Sequence, residues 1–260
     1  GSGANSSFLK NTPVEINEIE VPIKIKRYGL AKDSGGAGKY RGGTAIEMWF
    51  EALAPNTRVT ARNMDRTRFT SWGVQNGRAG APSYFLLNPN TNAERNLGNL
   101  DFIKIGPGDV VHVASGGAGG WGNPLERDID AVFQDVKRGF VSQKSALEDY
   151  GVVISNESYD LEATEKRRSE LMNSFADNDF FDYGVGRVEY EKIWNKANYD
   201  TLTKILARIP IHWRFFIKHR IFEMVGNQET LDSGEKISTY FEGLLTEFPQ
   251  LEETLRKETD

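Results

Sequence analysis

Two runs of glycine, Asp33-Ser34-Gly35-Gly36-Ala37-Gly38-Lys39-Tyr40-Arg41-Gly42-Gly43 and Ser115-Gly116-Gly117-Ala118-Gly119-Gly120-Trp121-Gly122-Asn123-Pro124, restrict the fold of this chain more than anything else in it. Glycine at that density gives up backbone entropy, so a folded chain keeps it where φ must be positive or where bare backbone must meet something closely. Along the sequence, 21 of the 26 glycines precede Asn156 and five follow it. The first part therefore reads as strands and loops, the second as helices.

In the first part, short apolar or alternating runs separated by turn residues predict strands at Val14 to Val21, Thr44 to Phe50, Arg58 to Arg62, Tyr84 to Leu87, Phe102 to Ile105 and Val110 to Val113. Pro107-Gly108-Asp109 and Asn88-Pro89-Asn90 read as turns. Helical periodicity is absent until Leu125, so mainly antiparallel β structure is expected, as a sandwich or distorted barrel. Asp128 then caps a helix through Arg138 with Gly139 as its stop, and Ser142 caps a shorter one ended by Gly151. Leu161 to Phe175, Glu189 to Ile209, Ile211 to Val225 and Glu235 to Phe248 carry helix-compatible periodicity, and Pro210 either kinks one long helix or starts the next. The expected class is α+β. Its divisions are a flexible leader over 1–10, a β-rich domain over 11–155 that ends in two short helices, and a helical extension over 156–260.

Composition excludes several function classes. A net charge of -5 lacks the basic excess that nucleic acid or an anionic membrane surface recruits. With no cysteine there is no disulfide, thiolate nucleophile or thiolate metal ligand. No apolar run reaches membrane-spanning length and no signal-peptide pattern opens the sequence, which makes the cytoplasm the expected location.

Backbone N–H groups in a glycine-rich turn converge readily on an anion, and a neighbouring Arg or Lys adds charge. Ser34, Gly35, Gly36, Gly38, Arg41, Gly42 and Gly43, with Gly116, Gly117, Gly119 and Gly120, are thus the candidate anion- or intermediate-binding residues. The competing reading is that both clusters are tight turns or close backbone packing. A P-loop is ruled out because Gly38-Lys39 runs into Tyr40 rather than Ser or Thr, and Asn123-Pro124 breaks the helix entry that a dinucleotide fingerprint requires. The run Arg62 to Arg68 and the segment Gly77-Arg78-Ala79-Gly80 read as surface charge or as arginines placed for an anion. His112 lies in an apolar strand as a hydrogen-bonded structural histidine, and His212 and His219, seven apart, lack the one-turn spacing that chelates a metal. Asp128 and Asp130 read as helix-start charge. No catalytic residue and no metal ligand is assigned. Trp213, Phe215, Phe216 and Phe222, in a basic and aromatic helix, are the expected interface residues.

Five ordered motifs carry a resemblance. Asn11-Thr12-Pro13-Val14-Glu15, the first glycine cluster, Gly108-Asp109-Val110-Val111, the second cluster continued through Leu125-Glu126-Arg127-Asp128, and Asp135-Val136 with Gly139 and Tyr150-Gly151-Val152-Val153 together resemble the C-terminal half of the hydantoinase B/oxoprolinase family. The resemblance implies a subunit of a hetero-oligomer with a hydantoinase A-like ATPase subunit. It implies ATP-dependent opening of cyclic amides such as 5-oxoproline or hydantoins, or ATP-dependent carboxylation of ketones such as acetone or acetophenone. The run Ile209-Pro210-Ile211-His212-Trp213-Arg214-Phe215-Phe216 resembles the tail of the ketone carboxylase subunits, which puts carboxylation with bicarbonate first, cyclic-amide hydrolysis second and a noncatalytic assembly module third. Since the family carries a comparable stretch upstream of Asn11, ATP and a divalent Mg or Mn ion are expected on other chains or on an N-terminal part absent here. The chain is accordingly expected to be a segment, a processed product or half of a split subunit, inactive alone.

Overall fold

The computed structural model describes residues 12–61, 66–98, 100–155, 158–174, 180–226, 231 and 234–251. The expected leader, Asn11, Arg62 to Asp65 and Phe175 lie outside the described residues. Contacts divide the chain into two units, Gly1–Gly186 and Arg187–Asp260.

The first unit opens with α1 (Val14–Glu20), followed by β1 (Ile23–Leu30), β2 (Ile46–Ala52), β3 (Thr57–Ala61), β4 (Gly73–Val74), β5 (Tyr84–Leu87), β6 (Arg95–Asn96), β7 (Leu100–Ile105) and β8 (Val110–Ala114). Its later elements are α2 (Ile129–Lys137), α3 (Gln143–Glu148), β9 (Val153–Ser155), β10 (Ser158–Asp160), α4 (Leu161–Ser174) and β11 (Phe181–Asp182). Five strands form one antiparallel sheet in the order β1-β2-β8-β5-β6. Strand alternation sends Phe50, Ala52, Phe85, Leu87 and Val111 to one face, where they bury against Val59, Ala61, Ile103 and Ile105 of the separate β3–β7 ribbon. This sandwich-like packing is the antiparallel architecture expected from the strand pattern. The predicted turns form with Gly108 at φ 89°, Asn88 at 51° and Asn90 at 61°.

A second core gathers Ala37, Val132, Val141, Ala146, Tyr150 and Val152, seating α2 and α3 beside the first glycine cluster. The Asp128 carboxylate accepts from Ala131 N at 2.9 Å and the Ser142 hydroxyl from Ser145 N at 3.0 Å, as the capping pattern requires. Gly139 and Gly151 end those helices at φ 77° and 64°.

Two expectations are corrected. Val14 to Val21 is a helix, not a strand: Pro13 O accepts from Ile16 N and Asn17 N, and the step from Ile16 to Ile19 is helical rather than alternating. It is a surface helix, with Ile19 83% exposed, and Glu18 Oε1 accepts Ile25 N at 2.7 Å to tie it to β1. The single helix expected from Glu189 to Ile209 is two, α5 (Val185–Ile193) and α6 (Lys196–Arg208), because the Asn195 side chain accepts from Asn198 N and so caps a new start. Pro210 precedes α7 (Ile211–Val225), extended at ψ 145°, so it starts that helix rather than kinking a longer one.

With α8 (Glu235–Glu247), these helices build the second unit around Leu202, Ile205, Ile217, Ile221, Val225, Ile237 and Leu244. Asn198, fully buried, donates through Nδ2 to the carbonyls of Ile193 and Leu231, joining the α5–α6 corner to the segment before α8.

Candidate functional site

The two glycine clusters lie against each other as bare backbone. Gly36 N donates to Ala118 O at 2.8 Å, Ala118 N to Gly43 O at 3.0 Å, Tyr40 N to Trp121 O at 2.9 Å and Trp121 N back to Tyr40 O at 3.0 Å. The segment around Arg78 completes the layer, with Arg78 N to Ala37 O at 2.7 Å and Gly120 N to Arg78 O at 2.9 Å. The crossing of Gly36 and Gly120 shows why only glycine fits. A Cβ on Gly36 would stand 2.1 Å from Arg78 O and 2.7 Å from Gly120 N, and one on Gly120 would stand 2.2 Å from Ala37 O. Gly35, Gly42, Gly117 and Gly119 meet neighbouring backbone as closely and Gly38 less so, at 2.7 Å from Trp121 N, whereas a Cβ on Gly116 would meet nothing nearer than 3.4 Å.

The N–H groups of Gly36, Gly42, Gly117 and Gly120 are all spent on main-chain carbonyls. Ser34 is buried: its hydroxyl donates to Ala31 O at 2.6 Å and accepts Ala45 N at 2.8 Å. Arg41 forks onto Asp135 of α2, with Nε 2.9 Å from Oδ2, Nη2 3.3 Å from Oδ1, and Nη1 donating to Gly42 O at 2.6 Å. Arg127 Nη2 reaches the same Asp135 Oδ2 at 2.9 Å, and its carbonyl accepts Arg168 Nη2 of α4 at 2.7 Å. Within the first unit, then, a buried carboxylate between two guanidiniums holds the glycine layer to α2, and Arg168 ties α4 to the same place through the Arg127 carbonyl.

One edge of that layer opens into a cleft of about 350 Å³ between Gly35-Gly36, Arg78 and α3. Lys144, Glu148 and Asp149 line its α3 side, together with Asp33. Asp33 Oδ1 accepts Ser142 N at 2.7 Å, and Asp149 Oδ2 accepts the Ser145 hydroxyl at 2.6 Å. Burial raises the Asp149 carboxyl above the ordinary aspartate value. Ser145 and Arg78 oppose that rise, while Glu148 and Asp33 add to it. Sequence reasoning singled out Gly35, Gly36 and the Arg78 segment but gave Lys144, Glu148 and Asp149 no role; α3 read only as a short capped helix.

On the sheet face opposite the core, β2, β5 and β8 place Glu47, Tyr84 and His112 together. His112 Nε2 lies 2.9 Å from Glu47 Oε2 and 3.1 Å from the Tyr84 hydroxyl, while Arg27 Nε pairs with Glu47 Oε1 at 2.7 Å. The Trp49 ring stacks on the imidazole at 4.0 Å. His112 is only 6% exposed, and burial lowers its pKa against the opposing pull of Glu47. This hydrogen-bonded histidine matches the structural role expected of it.

The aromatic positions of α7 separate. Phe222 stacks on Trp194 at 4.1 Å, and Trp213 packs against Phe216 and Phe248 at the edge of the helical core. Phe215 and Ile211 stand 74% and 79% exposed. Among the described residues no group of three or more metal-type side chains converges, and no helix is long and apolar enough to cross a membrane.

Residues 2–124 match the family Hydantoinase B/oxoprolinase, and this stretch holds both glycine clusters. Over those residues, just under half of the chain, it is similar to that family. The chain is 39% identical over 163 residues to an uncharacterized protein of Methanocaldococcus jannaschii, covering 61% of this chain and 28% of that one. It is 33% identical over 177 residues to the caprolactamase subunit beta of Pseudomonas jessenii, covering 62% and 28%. With the acetone carboxylase alpha subunit of Xanthobacter autotrophicus it shares 27% identity over 184 residues, covering 54% and 22%. The chain thus spans little more than a quarter of the length of the first two relatives.

Proposed function

We propose that the chain supplies the glycine-layer part of a hydantoinase B-like subunit in an ATP-dependent complex that opens cyclic amides. The observation that carries this reading is the 33% identity to caprolactamase subunit beta, against 27% to the acetone carboxylase alpha subunit. It reverses the order that the tail motif suggested. Nucleotide and metal fit the described residues poorly: no metal-type cluster forms among them, and four of the cluster amides with an anion-binding expectation already donate to carbonyls. ATP and its divalent ion are therefore assigned to the complex, on a hydantoinase A-like ATPase subunit or on another part of the same subunit. What this chain supplies is a rigid backbone layer and the polar cleft at its edge.

Ketone carboxylation with bicarbonate is kept as a second reading, because the helical unit Arg187–Asp260 includes the Ile209 to Phe216 run that resembles the carboxylase tail. In either reading, Phe215 and Ile211 form a contact for a partner subunit. Purification of the native complex, followed by substrate-dependent ATP hydrolysis, tests the choice. Cyclic amide should stimulate ATP turnover and release an amino acid without bicarbonate. Turnover that requires both ketone and bicarbonate would reject amide opening and establish the second reading.

A further inference from the structure

We propose that the outer face of α7 docks an acidic amphipathic helix of a partner protein, with Ile211 and Phe215 entering that helix's apolar stripe and Arg208 and Lys218 meeting its carboxylates. The proposal rests on the reading that the chain works inside a hetero-oligomeric complex, and adds the chemistry of the surface it meets there. Between Asp200 and Glu223 the sequence has no acidic residue but five basic ones, Lys204, Arg208, Arg214, Lys218 and Arg220, in a chain whose net charge is -5. Arg220 is neutralised, with Glu223 at 2.9 Å and Glu247 at 3.4 Å. Among the described residues Arg208, Arg214 and Lys218 form no ion pair: Arg214 Nε donates to Ile209 O at 3.0 Å beside the end of α6, and Lys218 Nζ lies 5.7 Å from the Phe222 ring. By contrast, Arg187 pairs with Glu191 on α5 and Lys196 with Asp200 on α6.

Ile211 and Phe215, the exposed pair of α7, stand one turn apart on the same face, and His219 continues it with its ring 5.2 Å from that of Phe215. The opposite face, with Ile217, Ile221 and Val225, is spent in the helical core. Covering two large apolar side chains favours association with another apolar surface, and the unmatched cations decide which kind. A second copy of α7 would bring Arg208 and Lys218 toward their own equals, a like-charge arrangement that opposes pairing. An anionic membrane takes up a helix that offers it a whole apolar face, and in α7 that face is already buried. Nucleic-acid phosphates would satisfy the cations and leave Ile211 uncovered. A helix whose apolar stripe is edged by Asp or Glu meets both needs, and the i, i+4 spacing of Ile211 and Phe215 is that of helix-docking anchors.

Carbodiimide coupling of the native complex, which joins an amine to a touching carboxylate, tests the proposal together with sedimentation measurements of how tightly the chain is held. Lys218 should be joined to an Asp or Glu of another protein, while Lys196 and Asp200, 2.6 Å apart, couple to each other and report that the reagent works. Raising salt from about 0.05 M to about 0.5 M should weaken binding of the chain about tenfold. The double variant Arg208→Glu with Lys218→Glu, at two exposed positions, should weaken it about tenfold at low salt and lose that difference at high salt. Phe215→Ser should weaken it at both salts, and Lys196→Gln at neither. Binding that ignores salt and charge reversal, or Lys218 joined to no foreign carboxylate while Lys196 and Asp200 couple, overturns the acidic-helix assignment and leaves the complex reading intact. Recovery of the chain on phosphatidylcholine–phosphatidylserine vesicles in place of the complex overturns it in favour of a membrane. A chain that its source yields with no partner overturns the complex reading itself.

Discussion

Arg41 and Asp135, 94 residues apart, form a two-point fork in which Nε lies 2.9 Å from Oδ2 and Nη2 3.3 Å from Oδ1. Their side chains are 15% and 8% exposed, so the pair is largely removed from solvent, and Arg127 approaches the same carboxylate. Removing the carboxylate strands two guanidiniums. Asp135→Ala should destabilise the first unit by about 3–5 kcal/mol, the cost of breaking a buried ion pair from one side. The double variant with Arg41→Ala should lose less than the sum of the two single changes, measured by urea unfolding.

Backbone packing at the glycine layer makes a different prediction. Gly36→Ala drives a methyl to 2.1 Å from Arg78 O, where main chain must move, and should cost about 3 kcal/mol or more. Gly106→Ala adds the same methyl in open space and should stay within about 0.5 kcal/mol. Equal effects in thermal unfolding would show that the layer is looser than described.

The His112 cluster predicts a pH dependence. Burial depresses the His112 pKa in the folded state below the ordinary 6.5, so the unfolded chain binds a proton first as pH falls. The stability held by neutral His112 is therefore complete above about pH 6.5 and is lost as pH falls through the folded value. His112→Gln should flatten the change in unfolding midpoint between pH 7.5 and pH 5.5, though other groups keep their own contributions.

On α7, burial separates two phenylalanines that look alike in the sequence. Phe222→Ala removes a ring stacked on Trp194 and should cost about 3 kcal/mol in unfolding of the helical unit. Phe215→Ser should leave that stability within about 0.5 kcal/mol and weaken retention of the chain in its native complex. Loss of stability without loss of retention would remove Phe215 from the proposed contact.

Much of this was readable from local chemistry. Asp128, Gly139, Ser142 and Gly151 act within a few residues of themselves, and each did in the structure what its type and position implied. β1 escaped notice because its pairing shifts between Ile25 and Arg27, which spoils the alternation that marks a strand. The glycine clusters resisted for a deeper reason. Whether an N–H meets an anion or a carbonyl depends on what lies across from it, and Ala118 lies across from Gly36 only after folding. The same holds for the cleft: Arg78 and Asp149 are 71 positions apart, and nothing near either one announces the other.

The crossing of Gly36 and Gly120 also limits how a protein of this design can diverge. Where two main chains touch with no side chain between them, point mutation has no intermediate step to offer, because every replacement enlarges one partner and neither can shrink. The layer is then the invariant chassis of the molecule, and new selectivity has to arise at its margin. Arg78, Lys144 and Asp149 stand at that margin, where a side chain can be exchanged without disturbing the main-chain crossing beneath it.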